Sequence, residues 1–209
     1  MCGIVGAIGQ RKVTDILIEG LKRLEYRGYD SAGMAVLDKK KGRINCIKKL
    51  GKVAALEEAV AHSSAKGMLG IAHTRWATHG KPSEANAHPH CSSDGLALVH
   101  NGIIENYLSL KEGLIKSGYE FITETDTEVI VHLIHAELNK SDVGVTQAVK
   151  NVVSVLEGAY GLAIISKDDP DKIVVARSGS PLVIGVGIGE NFIASDPSAL
   201  GQVTDRFIY

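Results

Sequence analysis

The segment Cys2-Gly-Ile-Val-Gly-Ala-Ile8 places a thiol at the start of a short apolar run that Gly9 ends. A run of this length and composition is typical of a buried strand. A helix is expected next, because apolar side chains then recur at spacings of three and four residues, at Val13, Ile16, Leu17, Leu21 and Leu24. The chain therefore begins with a strand whose first side chain is a potential nucleophile.

The remaining pattern predicts strand pairs separated by helices. We expect further strands at 34–37, 43–50, 68–74, 96–100, 160–166, 173–176, 182–186 and 192–194, and further helices at 53–60, 108–115, 125–138 and 145–156. A capping box at Thr125-Asp-Thr-Glu128 is expected to open the third of these helices. The lysine-rich run 39–43 is expected to form a hairpin tip, and 168–171 a turn. This order favours an α+β layered fold over regular βαβ alternation.

Composition excludes several classes of protein. The 209 residues hold 23 Lys and Arg against 24 Asp and Glu, so the basic excess of a nucleic-acid-binding protein is missing. No apolar stretch approaches the ~20 residues that span a bilayer, and no secretory signal is present, so we expect a cytoplasmic protein that binds no membrane. The cysteines Cys2, Cys46 and Cys91 are odd in number and far apart, which argues for reduced thiols. No linker or repeat divides residues 1–209, so we expect one domain.

Cys2 directly follows the initiator methionine. Removal of the initiator methionine would leave an α-amine and a thiol on the same residue, and the two groups titrate at neighbouring pH values not far above neutrality. An N-terminal nucleophile of this kind carries its own general base. From position alone, however, Cys2 could equally be a small buried residue at the start of a strand.

Longer motifs elsewhere in the chain favour the interpretation of Cys2 as a nucleophile. In chain order they are Cys2-Gly-Ile-Val-Gly6, Glu25-Tyr-Arg-Gly-Tyr-Asp-Ser-Ala-Gly33, His73-Thr-Arg-Trp-Ala-Thr-His-Gly80, Asn86-Ala-His-Pro-His90, His100-Asn-Gly-Ile-Ile-Glu-Asn106, Glu124-Thr-Asp-Thr-Glu128 and Arg177-Ser-Gly-Ser-Pro-Leu182. Together they resemble the class II glutamine amidotransferases, and most of all the branch that passes ammonia to fructose 6-phosphate. The match covers nearly all of the chain.

The resemblance implies a four-layer αββα sandwich of the N-terminal-nucleophile hydrolase type, with residues 1–209 as a single glutamine amidotransferase domain. It also implies hydrolysis of L-glutamine to L-glutamate and ammonia through a γ-glutamyl thioester on Cys2, without a metal or an organic cofactor. Asn101 and Gly102 would form the oxyanion hole as catalytic residues beside Cys2. Full-length members carry a covalently linked sugar-phosphate isomerase domain, absent from this chain, and we expect them to be homodimers.

A glutamine pocket needs a fixed cation and a fixed anion, and the motifs supply a candidate for each. Arg75 offers a planar fork for the α-carboxylate, and Thr78 and His79 would add hydrogen bonds to the same group. Asp126 would pair with the α-ammonium group. Trp76, in a loop resembling the family's glutamine-covering loop, would help to exclude water.

Other interpretations stay open at this point. A zinc site could use His79, His88, His90 and Cys91, but no second cysteine pair or His-Glu-x-x-His helix completes it. Gly185-Val-Gly-Ile-Gly189 has glycine spacing that hints at a nucleotide loop, but no helix is predicted after it. The domain could also serve another acceptor, phosphoribosylpyrophosphate or aspartate, or be a noncatalytic module in which Met1 is retained.

Overall fold

Two antiparallel sheets form the centre of the computed structural model, which describes residues 2–92, 95–140 and 142–209. The strands are β1 Gly3–Ile8, β2 Ser31–Asp38, β3 Arg43–Leu50, β4 Leu69–Arg75, β5 His90–Ser92, β6 Leu96–Ile104, β7 Gly158–Ser166, β8 Asp169–Ser178, β9 Val183–Val186, β10 Asn191–Ala194 and β11 Phe207–Ile208. The α-helices are α1 Thr14–Arg23, α2 Val53–Ala61, α3 Tyr107–Lys116, α4 Thr127–Lys140 and α5 Val145–Val153. Short 3-10 helices cover Glu25–Arg27 and Pro197–Leu200.

The seven-stranded sheet has the order β11-β9-β10-β1-β4-β2-β3, and the four-stranded sheet the order β5-β6-β7-β8. The first strand, β1, lies between β10 and β4 and pairs antiparallel with both. Because β1 is held on both sides, its N-terminal end has a fixed place beside the C-terminal end of β4, where Gly3 pairs with Thr74.

Apolar side chains fill three layers. The layer between the sheets contains Ile4, Ala35, Leu37, Leu69, Ile71, Ala97, Val99, Ala163, Ile165, Leu182 and Ile193. A second layer packs α1 and α2 on the outer face of the seven-stranded sheet. A third packs α4 and α5 on the outer face of the four-stranded sheet. This order of layers confirms the predicted αββα sandwich.

Strand periodicity carries polar side chains into the layer between the sheets. Leu69 and Ile71 of β4 face that layer, and since alternate residues share a face, His73 and Arg75 point the same way. Ala97 and Val99 of β6 do likewise, which places Asn101 on the inner face. The sandwich therefore presents polar groups from both sheets at one end of its apolar layer.

The strands and helices expected from the sequence are confirmed, with differences at their ends. The lysine-rich run forms the turn between β2 and β3, where Gly42 has φ +58°. The expected turn at 168–171 is shorter and begins one residue earlier: Lys167 and Asp168 form it, and β8 begins at Asp169, which already pairs with Ser166. The short strands β5 and β11 were not expected, since two or three residues show no periodicity.

The expected capping box is also wrong. Helix α4 begins at Thr127, and the Glu128 carboxylate accepts hydrogen bonds from the backbone N–H groups of Ile122 and Thr123, at 3.0 and 2.8 Å. Thr125 instead brings its hydroxyl within 3.1 Å of His90 Nε2 on β5. Glu128 thus ties the loop that precedes α4 to the helix.

Within residues 2–92, 95–140 and 142–209, the structure contains no helix long and apolar enough to cross a membrane.

Candidate active site

Cys2 lies immediately before β1, with its thiol against the backbone of Trp76. The Trp76 N–H donates a hydrogen bond of 3.3 Å to Cys2 Sγ, and Sγ lies 3.6 Å from the Trp76 carbonyl oxygen. Burial raises the pKa of the thiol, while the Trp76 backbone and the positive charge of Arg75 act in the opposite direction. The thiol is therefore protonated at neutral pH and needs a base to react. Met1, whose removal would supply the amine, lies outside the described residues.

Asn101 and Gly102, on β6 of the four-stranded sheet, lie next to Cys2. Asn101 Nδ2 donates a hydrogen bond of 3.2 Å to the backbone oxygen of Cys2. Gly102 has φ +126°, and a Cβ atom added there would lie 1.9 Å from the Ala159 carbonyl oxygen, so both conformation and space require glycine. The nucleophile and the two expected oxyanion donors are thus neighbours in the fold.

The orientation of the Asn101 amide is set by His73. The Nε2 atom of His73 lies 2.9 Å from Asn101 Oδ1 and 3.0 Å from the His100 carbonyl oxygen. Both are acceptors, so Nε2 carries the proton. Burial lowers the pKa of His73 to about 3, and the ring is neutral at physiological pH. With Oδ1 engaged by His73, the Asn101 Nδ2 donors are directed to Cys2.

Sequence reasoning missed His73. Its position in the strand indicates its orientation: Leu69 and Ile71 face the layer between the sheets, and residue 73, the next alternate position of β4, faces the same way. A histidine at that position is a polar group on an otherwise apolar face, and such groups are found with partners.

Arg75 is buried at the end of β4, with 3% of its surface exposed. Its Nη2 donates to the carbonyl oxygens of His79 and Gly80, the latter at 3.2 Å. Its Nη1 lies 4.0 Å from Asp30 Oδ1 and has no hydrogen-bond partner among the described residues. A buried donor without a partner costs about 1–3 kcal/mol, more when the group is charged. The guanidinium is therefore suited to receive an anion at Nη1.

The loop after β4 contains the other predicted substrate-binding residues, Trp76, Thr78 and His79. The side chains of Thr78 and His79 do not contact Arg75. Thr78 is exposed, and the His79 ring packs edge-on against Tyr107 at 5.3 Å. The carbonyl of His79, not its imidazole, contacts Arg75. The Trp76 ring is 54% exposed and rests on Gly28, where a Cβ atom would lie 2.8 Å from it.

Asp126 is 3% exposed and immediately precedes α4. Its Oδ2 accepts a hydrogen bond of 2.8 Å from the Ile104 backbone N–H. Since Ile104 ends β6, this bond ties the start of α4 to the strand that carries Asn101. Burial lowers the pKa of His100 to about 4, and the negative charge of Asp126 opposes that shift. A carboxylate is thus fixed close to the oxyanion donors.

Four buried imidazoles form a cluster behind the site. The ring of His88 lies 4.2 Å from that of His73, 4.7 Å from that of His90 and 6.5 Å from that of His100. Burial lowers the pKa of all four. In the described part of the chain, no three His, Cys, Asp or Glu side chains are arranged to hold a metal ion.

Comparisons with known proteins agree on one family. The family model described as "Glutamine amidotransferase domain" matches residues 73–202. Over all 209 residues, the chain is 65% identical to the glutamine–fructose-6-phosphate aminotransferase (isomerizing) of Pseudomonas aeruginosa and 61% identical to that of Haemophilus ducreyi. The chain spans 34% of the length of these relatives.

Solved structures give the same result for the fold. The glutamine phosphoribosylpyrophosphate amidotransferase of B. subtilis, in complex with ADP and GMP, matches 99% of the chain with a TM-score of 0.83 at 30% identity, over 44% of its own length. A glutamine aminotransferase class-II domain protein from Silicibacter pomeroyi matches 92% of the chain with a TM-score of 0.62 at 16% identity, a likeness of fold alone.

Proposed function

The chain belongs to the glutamine amidotransferase family, and we propose that it hydrolyses L-glutamine to L-glutamate and ammonia with Cys2 as the nucleophile. One observation carries the proposal. Asn101 Nδ2 lies 3.2 Å from the backbone oxygen of Cys2, so the residue that bears the thiol is in direct contact with an amide donor of the kind that stabilises a tetrahedral oxyanion.

The reaction begins once Met1 has been removed. The freed α-amine of Cys2 accepts the thiol proton, through one water molecule, and the thiolate attacks the side-chain carbonyl carbon of glutamine. Asn101 Nδ2 and the Gly102 N–H stabilise the resulting oxyanion. The proton held by the amine passes to the leaving nitrogen, ammonia departs and a γ-glutamyl thioester remains. Water, deprotonated by the same amine, then cleaves the thioester and releases glutamate.

His73 acts in this scheme as a positioning residue. Its N–H holds Asn101 Oδ1 at 2.9 Å, so the amide cannot turn its oxygen toward the developing negative charge without losing that bond. Burial keeps the pKa of His73 at about 3, so the ring stays neutral and its protonation does not change near neutrality.

Charge complementarity positions glutamine. Arg75 Nη1, which has no hydrogen-bond partner among the described residues, would bind the α-carboxylate, and the Asp126 carboxylate would bind the α-ammonium group. Trp76, Thr78 and His79 belong to the loop that would close over the substrate. A movement of that loop would bring Thr78, exposed here, into contact with the carboxylate.

In a longer protein, the released ammonia would aminate fructose 6-phosphate to give glucosamine 6-phosphate. Identity of 65% to a relative named for that reaction, against 30% to a phosphoribosylpyrophosphate amidotransferase, supports this acceptor. A covalently linked sugar-phosphate isomerase domain would bind the acceptor, and the full-length protein would be a homodimer. Residues 1–209 would then be its single glutamine amidotransferase domain, and glutamine hydrolysis alone is proposed for it.

The direct test uses glutamine and a glutamine analogue whose side chain ends in an electrophilic diazoketone. Intact mass first establishes that Met1 is absent from the sample. We expect glutamate and ammonia from glutamine, and one covalent adduct that peptide mapping assigns to Cys2. Processed protein that forms neither product nor adduct would be a noncatalytic module, and the proposal would fail.

Replacing Arg75 with alanine should chiefly weaken glutamine binding. We expect KM to rise roughly 10- to 100-fold and kcat to change less than about fivefold, because the carboxylate contact is shared by ground and transition states. Steady-state kinetics with a coupled glutamate assay measures both constants. Arg75→Lys keeps the charge without the fork and should give an intermediate KM, whereas Arg43→Ala, at an exposed arginine that begins β3, should change neither constant. A fall in kcat with unchanged KM would contradict the assignment.

A further inference from the structure

Two cysteines that the mechanism does not use lie in contact at one edge of the sandwich. Cys46 Sγ of β3 and Cys91 Sγ of β5 are 2.7 Å apart, closer than two sulfur atoms in van der Waals contact. Both are thiols in the structure, and both residues reach the surface, although the Cys46 sulfur itself is packed among neighbouring atoms. This proximity contrasts with their wide separation in the sequence, which had argued against a disulfide.

Strand register explains why the two side chains point at each other. Cys46 pairs with Ala35 on β2, and Cys91 pairs with Ala97 on β6. Directly paired residues share a face of the sheet, and both alanines belong to the layer between the sheets. Cys46 and Cys91 therefore extend that layer to its rim from opposite sheets.

We propose that Cys46 and Cys91 form a reversible disulfide that joins the two sheets at this edge. β3 is an edge strand of the seven-stranded sheet, and β5 is an edge strand of the four-stranded sheet. β5 has three residues and, in the part of the chain that the structure describes, pairs with β6 alone, so the disulfide would add a covalent link to a strand with few backbone hydrogen bonds.

The neighbours of Cys46 have opposing effects on its thiol. The hydrogen bond with Cys91 and burial raise the pKa of Cys46 well above its usual value, so Cys46 is protonated at neutral pH and reacts through a small thiolate fraction. The ammonium group of Lys48, two residues along β3, acts against that shift and stabilises the thiolate. Lys48 is itself held in place, with Nζ donating to the Ala85 carbonyl oxygen at 3.1 Å.

The chemistry is thiol–disulfide exchange with a small-molecule disulfide such as oxidised glutathione. One cysteine thiolate attacks a sulfur of oxidised glutathione, the glutathione S–S bond breaks, one reduced glutathione leaves, and a mixed disulfide between the cysteine and the other glutathione forms. The second cysteine then attacks the protein sulfur of that mixed disulfide and releases the second glutathione. Two protein thiols are oxidised and one glutathione disulfide is reduced.

A disulfide between Cys46 and Cys91 would restrain β5, which contacts α4 and the loop that precedes it. His90 and Ser92 flank Cys91 on β5 and contact Thr125 and His132, with His90 Nε2 3.1 Å from Thr125 Oγ1 and Ser92 Oγ 2.8 Å from His132 Nδ1. A cross-link at Cys91 therefore restrains the strand against which the start of α4 packs.

The test uses Cys2→Ala protein, so that Cys46 and Cys91 are the only thiols of the chain. After equilibration with oxidised glutathione we expect both thiols to disappear and the intact mass to fall by about 2 Da, the mass of two hydrogen atoms. Peptide mapping should recover the two cysteines in one linked peptide. The melting temperature should rise by about 5 °C or more, and dithiothreitol should reverse the change.

The matched control is Cys46→Ser in the same background, which should keep one thiol or take one glutathione, with no rise in melting temperature. Lys48→Met should slow formation of the bond about threefold or more, because the thiolate loses its neighbouring cation. Two bound glutathiones, or two thiols that persist after equilibration, would overturn the proposal. Peptide mapping of the unsubstituted chain after the same treatment distinguishes these outcomes even if Cys2→Ala folds poorly.

Discussion

Cys2→Ala should abolish glutamine hydrolysis, with kcat falling about 10⁴-fold or more while the protein remains folded. Alanine has no atom that could form the γ-glutamyl thioester, so the two-step route is lost. The residue lies before β1 and keeps its backbone bond from Asn101, so the sheets lose no pairing. Glutamate release and thermal melting, measured on the same sample, separate loss of chemistry from loss of fold.

Two comparisons sharpen this prediction. Alanine is as small as cysteine at the position after Met1, so intact mass should show the same removal of Met1 in the variant. Cys46→Ala, assayed with reductant, removes a thiol outside the site and should leave turnover unchanged. Measurable turnover by well-folded Cys2→Ala protein would show that another group performs the attack.

Asn101→Ala should lower kcat about 10²- to 10³-fold with a smaller effect on KM, since its donor serves the oxyanion more than the ground-state carbonyl. Single-turnover and steady-state assays with glutamine measure the effect. Asn191→Ala, at an exposed asparagine that begins β10, is the matched control and should leave kcat unchanged. An Asn101→Ala variant whose KM rises while kcat stays constant would contradict the oxyanion role.

A double-mutant cycle with His73 tests the positioning role. If His73 acts through the Asn101 amide, His73→Phe should lower kcat by itself but add little in the Asn101→Ala background. His73→Gln retains a side-chain N–H and should recover much of the loss. Fully additive effects would mean that His73 supports the fold and not the orientation of Asn101.

Much of the architecture was accessible from sequence because it depends on local periodicity. Spacing of three and four residues located α1, and apolar runs that end in polar residues located β4 and β6. Because alternate residues of a strand share a face, Asn101 lies on the same face as Ala97 and Val99, a relation that follows from the strand alone once its inner face is known. The capping box failed because a motif of four residues did not anticipate that Glu128 would bond to the preceding loop.

The motifs by themselves determined the family and the set of candidate site residues, because side-chain chemistry and chain order are properties of the sequence. Only the tertiary structure decided which atoms meet: the amide of Asn101 at Cys2, the His73 N–H at Asn101 Oδ1, and Cys46 at Cys91. It also decided that Arg75 Nη1 has no hydrogen-bond partner among the described residues. The physical reason is that each of these meetings depends on long-range strand pairing and the stacking of two sheets. Contacts between residues 45 or 99 positions apart leave no local period in the sequence.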